Sequence, residues 1–209
     1  MNPAAEMSSA LEGPSRWTDY ALILVDVQND FWSEEIASES PRFPSRIEAL
    51  LGTCRELGIE VFHVHGGFQE DMSDWIARYR LRGQIPCVVG TEGAEPLPVA
   101  VPRPGERVVV KQSFDAFLGT GLDELLRSAG KRFVFVAGLV TSTCVLLTAA
   151  TATQRGYLVA LVEDCCADRQ RFHDYVLRAY HPFMFGITRS DRISHDRPQW
   201  DEQLEQLVG

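Results

Sequence analysis

Three short apolar runs, each leading to a side chain with chemistry to offer, constrain this chain most. Tyr20-Ala21-Leu22-Ile23-Leu24-Val25 runs into Asp26, and Arg107-Val108-Val109-Val110 runs into Lys111. Arg132-Phe133-Val134-Phe135-Val136-Ala137 runs into Gly138 and the segment that reaches Cys144. Apolar runs of this length between turn signals and helical segments read as buried parallel strands. Strands and helices alternate along the chain, which predicts an α/β, three-layer αβα domain with a mainly parallel, six-stranded sheet and helices on both faces. Ligands bind beyond the carboxyl ends of the strands in an open sheet of this kind. If the three strands are neighbours, a carboxylate, an ammonium and a thiol meet in one crevice.

Strands are expected near 21–25, 59–64, 107–110, 132–137, 157–162 and 183–188. Helices are expected over 45–57, 73–80, within 119–127, and over 145–154, 168–180 and 198–207. Ile47, Leu50, Leu51 and Cys54 fall on one face of the first helix, and Gly58 ends it. Residues 31–44 carry acids and two prolines and read as an exposed loop. Residues 83–106 hold five prolines and four glycines, an ordered but irregular excursion suited to substrate or subunit contacts. Residues 1–15 read as a disordered tail without the basic start and apolar stretch of a secretion signal, and 16–209 as a single domain.

With 209 residues, the chain is long enough for one sizeable core. Its formal net charge of −9 argues against nucleic acid and anionic membranes as partners. No apolar run is long enough to be a transmembrane helix. The five cysteines are odd in number and fit no zinc spacing, which points to a reducing, cytoplasmic setting. Cys165-Cys166 reads as a pair of inert structural thiols, since adjacent cysteines rarely form an unstrained disulfide.

Cys144 sits where a strand hands over to a helix N-terminus. Free N–H groups and the positive dipole end favour a thiolate there and suit a developing oxyanion. The aromatic residues Phe31, Trp32, Phe68, Phe114 and Phe117 are candidate pocket walls. Trp32 is the foremost of them, and Phe114 and Phe117 lean towards the core. His63 and His65 share a strand face, but two histidines alone make a poor metal site, so no metal is expected. His65, at the strand end, is a candidate hydrogen-bond partner for substrate. Arg78, Arg80 and Arg82 read first as a solvated helix face, with a carboxylate grip as the sharper alternative.

Asp26-Val27-Gln28-Asn29-Asp30-Phe31 resembles the opening motif of the isochorismatase-like cysteine hydrolases. Lys111-Gln112-Ser113-Phe114-Asp115-Ala116-Phe117 resembles their lysine motif, and Gly138-Leu139-Val140-Thr141-Ser142-Thr143-Cys144-Val145 their nucleophile motif. The resemblance spans about residues 18–190 and implies a Rossmann-like fold. It further implies a cofactor-free, homo-oligomeric (dimeric or tetrameric) amidohydrolase acting on a small amide, carbamoyl or ureido compound through a thioester at Cys144. Asp26 would move the proton and Lys111 would hold both partners. The backbone N–H groups of Val140 and Cys144 would receive the oxyanion, next to a cis Leu139–Val140 peptide. Gln28 would lie near the site. Two alternatives stay open: cleavage of the enol ether of isochorismate, which Cys144 argues against, and a non-catalytic binding protein on the same fold.

Overall fold

In the computed structural model, residues 17–207 are described, and the tail expected at 1–15 lies outside them. The strands are β1 (Tyr20–Val25), β2 (Glu60–Gly66), β3 (Arg107–Lys111), β4 (Phe133–Leu139), β5 (Leu158–Ala167) and β6 (Gly186–Thr188). The helices are α1 (Glu34–Glu39), α2 (Phe43–Leu57), α3 (Ala77–Arg82), α4 (Leu122–Ser128), α5 (Leu146–Gln154), α6 (Gln170–Tyr180) and α7 (Ile193–Gln206). All strand pairs are parallel, in the order β3-β2-β1-β4-β5-β6. The order reverses between β1 and β4, which opens a crevice beyond their carboxyl ends.

Period-two alternation feeds two cores, one on each side of the sheet. Tyr20, Leu22 and Leu24 of β1 join Phe133 and Phe135 of β4, the apolar face of α2 and Trp200 of α7. Ala21, Ile23 and Val25 face the other way, towards Val134, Val136, Leu122, Leu126, Val145 and Ala149. Cys165 belongs to the first core and Cys166 to the second, so these neighbours point apart. At the switch point β4 comes so close to β1 that only glycine fits: a Cβ on Gly138 (φ 125°) would stand 2.0 Å from the carbonyl oxygen of Val25.

Several boundaries differ from the sequence reading for local reasons. The expected exposed loop at 31–44 contains α1, which Ser33 caps by accepting from the Ile36 N–H, and Ile36 is buried. Helix α2 starts at Phe43, with Pro44 in its first turn, where proline lacks no needed donor. Strand β5 runs on through Glu163 and Asp164 to Ala167. After a register shift, Gly138 and Leu139 pair with Cys166 and Ala167, and Ser190 donates to the Asp164 carboxylate. Helix α3 starts at Ala77 rather than Ser73, because Asp71 and Asp74 are spent on turn N–H groups. Helix α7 begins five residues ahead of Pro198, which lies inside it. Residues 83–106 are irregular, with two short 3-10 turns at Glu92–Ala94 and Pro98–Ala100. Among the described residues no helix is long and apolar enough to cross a membrane.

Candidate active site

Asp26 leaves the end of β1 with a left-handed backbone (φ 52°) and donates its N–H to the Val64 carbonyl at 2.8 Å. That turn sends its carboxylate under the crevice rather than along the strand. Lys111, the last residue of β3, reaches across the end of β2. Its Nζ stands 2.7 Å from Asp26 Oδ2 and 3.7 Å from Cys144 Sγ, and donates to the Ser113 carbonyl at 2.7 Å. Asp26, Lys111 and Cys144 are 0%, 2% and 4% exposed, so the three meet out of bulk water. The Asp26–Lys111 contact is an ion pair off the line a hydrogen bond needs, and Asp26 Oδ1 has no hydrogen-bond partner among the described residues.

Electrostatics here differ from what a helix N-terminus alone suggests. Burial pushes the Cys144 thiol well above the ordinary range, the Asp26 charge pushes the same way, and Lys111 recovers only part. Burial also raises the Asp26 carboxyl against the pull of Lys111. Burial disfavours the Lys111 ammonium, but the negative charges of Asp26 and Cys144 outweigh it and lift its pKa. Burial thus works against the thiolate that the helix N-terminus favours. Asp26, Lys111 and Cys144 titrate as a coupled set, in which no single protonation state belongs to one residue alone.

Cys144 lies in a π-helical turn, Thr141–Val145, which opens onto α5. The Leu139–Val140 peptide before it is cis. Asp168 braces this turn by accepting from Ser142 N (2.8 Å) and Ser142 Oγ (2.5 Å), and Thr141 Oγ1 meets His173 Nδ1 at 2.9 Å. The lysine loop is docked on the same helix: Thr148 Oγ1 accepts from Ala116 N, and Thr151 Oγ1 donates to Asp115. Lys111 and Cys144 are thus registered to each other through α5. None of these supports is legible in the sequence, where Asp168 is only the first residue of an expected helix and Asp115 only part of a motif.

Above the triad is a cleft of about 260 Å³. Its walls are largely aromatic, with Phe31, Phe68, Tyr79 and Phe114, and Val140 and Thr143 flank Cys144. The expectation for Phe31 and Phe68 fits this geometry. Phe114 was expected in the core and instead lines the cleft. Arg82 also lines it, whereas Arg80 is spent on the Ser73 and Trp75 carbonyls. Tyr79 belongs to no motif, and its only sequence signal is a place in the same short helix as Arg80 and Arg82.

Four other candidates do not line the cleft. Gln28 is fully buried, and its amide is consumed by backbone: it donates to Gly66 O and Ala94 O and accepts from Gly66 N. It fastens the excursion to β2 instead of contacting substrate. Trp32 stacks on Phe43, with ring centroids 5.1 Å apart, because the turn after Phe31 points it at α2. Phe117 is core, against Tyr157, with Arg155 over its ring. His65 shares the face of His63, 6.1 Å away, while Gly66, of opposite parity, faces Asp26. Burial takes the His65 pKa down to about 4. His63 is occupied by Glu106 at 2.9 Å. Among the described residues, no three His, Cys, Asp or Glu side chains are gathered as metal ligands.

Comparison with known proteins fits this arrangement. Residues 20–191 match the isochorismatase domain. An isochorismatase family protein from Desulfovibrio vulgaris is 30% identical, with a TM-score of 0.78 over 85% of this chain and 97% of that one. N-carbamoylsarcosine amidase from Thermoplasma acidophilum is 31% identical, with a TM-score of 0.70 over 84% and 98%. Streptothricin hydrolase from Streptomyces noursei is 36% identical over 148 residues, 70% of this chain and 49% of that protein. A domain match across most of the chain, with the same fold in relatives at this identity, makes this protein a member of the isochorismatase family.

Proposed function

We propose that this protein is a cysteine amidohydrolase that cleaves the C–N bond of a small amide, carbamoyl or ureido compound through a thioester at Cys144. The observation that carries the reading is Lys111 Nζ, buried at 2.7 Å from Asp26 and 3.7 Å from the Cys144 sulfur at the floor of an apolar cleft. Relatives named as an amidase and as a streptothricin hydrolase support it.

The chemistry follows from one proton exchanged between Asp26 and Cys144. Asp26 takes the thiol proton as Sγ bonds to the carbonyl carbon, and Lys111 keeps the resulting thiolate and its neighbour tolerable in a dry site. The carbonyl oxygen gains charge beside the backbone N–H groups of Val140 and Cys144, our candidates for the oxyanion hole. Asp26 then gives its proton to the nitrogen as the C–N bond breaks. Next it accepts a proton from the water that attacks the thioester, and Cys144 leaves with that proton as a thiol. No cofactor is needed for this balance.

The test is a panel of small amides, ureas and N-carbamoyl acids, given to the wild type and to Cys144→Ala. Ammonia and a transient acyl mass from the wild type alone are expected. Ammonia from both proteins would remove Cys144 from the mechanism and favour ether-type chemistry on the Asp26–Lys111 pair.

A further inference from the structure

We propose that Arg82 is the specificity residue of the cleft, and that the substrate is a small, flat amide carrying a carboxylate at the end remote from the scissile C–N bond. The inference rests on the amidase reading for which end of the ligand meets Cys144.

At the cleft floor, Lys111 is already engaged by the Asp26 carboxylate at 2.7 Å and stands 3.7 Å from the Cys144 sulfur, so the floor has no cation left over for a ligand anion. Among the lining side chains, Arg82 is the other cation. It forms no hydrogen bond or ion pair with any described residue. Its outer side borders a groove that Asp30 also lines, but the Asp30 carboxylate is engaged with the Cys87 N–H at 2.6 Å and packs on Gly93. Arg80, two residues earlier, is fixed to the Ser73 and Trp75 carbonyls and so anchors the segment that presents Arg82. A guanidinium left open beside an otherwise apolar wall matches a planar carboxylate in two parallel hydrogen bonds.

Shape sets the rest of the ligand. Between floor and mouth stand the rings of Phe31, Phe68, Phe114 and Tyr79, with Phe68–Tyr79 and Tyr79–Phe114 edge-to-face at 6.2 and 5.9 Å. Such walls favour a flat spacer over a bulky one. Tyr79 shares α3 with Arg82 and lines the same cleft as Lys111 and Cys144. A volume of about 260 Å³ restricts the ligand to roughly one ring plus its substituents. The chain's net charge of −9 repels anions at long range, so a local cation has to supply the recognition.

Binding to the Cys144→Ala protein tests this without turnover. Benzamide and 4-carbamoylbenzoate, which differ by one carboxylate, are titrated calorimetrically against proteins carrying Arg82, Arg82→Gln or Arg82→Lys, with folding checked by thermal melts. With Arg82, the carboxylated amide is expected to bind about tenfold tighter or more. The ratio should collapse to about one in Arg82→Gln and recover in part in Arg82→Lys. Equal binding of the two amides with Arg82, a preference that survives Arg82→Gln, or no binding of either at 10 mM order concentrations (about ten times a weak ligand's Kd) would overturn the proposal. The readout is separate from the amidase reading: absence of ammonia and acyl adduct in the wild type defeats that reading and leaves the binding ratio intact.

Discussion

The floor of the cleft and its mouth are built on opposite principles. At the floor, Asp26 and Lys111 sit at strand ends and Cys144 in the π-helical turn after β4; all three are almost fully buried and are braced by Asp168, Thr148 and Thr151. At the mouth, Tyr79 and Arg82 ride on α3, a six-residue helix with no buried side chain. Segments with few buried contacts open at low cost, whereas a strand end moves only with the sheet. Rigid groups thus hold the reacting atoms, and the adaptable segment carries what chooses the ligand. The Asp26–Phe31 turn joins the two: Gln28, Asn29 and Asp30 all bind backbone of the excursion, so the residues just after Asp26 also position the mouth.

Glycine substitutions expose this contrast most sharply. Gly138→Ala drives a Cβ into the Val25 carbonyl at 2.0 Å, and is expected to cost about 4 kcal/mol or more, or to prevent folding. Gly83→Ala, at φ 67° with open space around it, is expected to cost about 1 kcal/mol. Urea denaturation of both variants compares the two regions directly. Similar losses would contradict a rigid floor beneath a forgiving mouth.

Lys111→Met leaves Asp26 buried without its cation and is expected to lose about 3–5 kcal/mol of stability along with all amide hydrolysis. Adding Asp26→Asn should restore much of the stability and none of the activity. A double variant no more stable than Lys111→Met would show that the pair is not coupled as described.

A smaller effect belongs to neither region. Arg55, the Arg103 N–H and His63 hold Glu106 at a pKa of about 2 against the upward push of its partial burial. Because the folded value is depressed, its contribution is present above the ordinary carboxylate range and lost as pH falls towards about 2. Glu106→Gln should therefore flatten the fall in stability between about pH 4.5 and 2. Acid unfolding curves of unchanged slope would remove Glu106 from that role.

Legibility in the sequence divides along the same line. Asp26, Lys111 and Cys144 follow apolar runs, and the parallel topology delivers strand ends to one edge, so their meeting was readable. Side-chain direction in loops is set by tertiary packing, which is why Trp32, Phe117 and His65 turned away from the cleft and Phe114 turned into it. The backbone partners of Gln28 are not legible, because the excursion that supplies Ala94 has no periodic pattern. Arg82 differed from Arg80 only through which carbonyls lie within reach, and a charge run does not encode that. Strand β5 was cut short because Glu163 and Asp164 interrupt its apolar run, although Ser190 satisfies Asp164.

The proton shared by Asp26 and Cys144 is the central claim, and the pH dependence of Cys144 alkylation by iodoacetamide tests it without any substrate. In the proposed mechanism, Asp26 is the base in the wild type. Its pKa is raised by burial, so reactivity should persist near neutrality and fall about tenfold per pH unit only below an inflection lying above the ordinary carboxylate range. In Asp26→Asn, that limb should vanish, leaving slow alkylation that rises only at alkaline pH, where the buried thiol ionises unaided. Superimposable profiles for the two proteins would contradict the account.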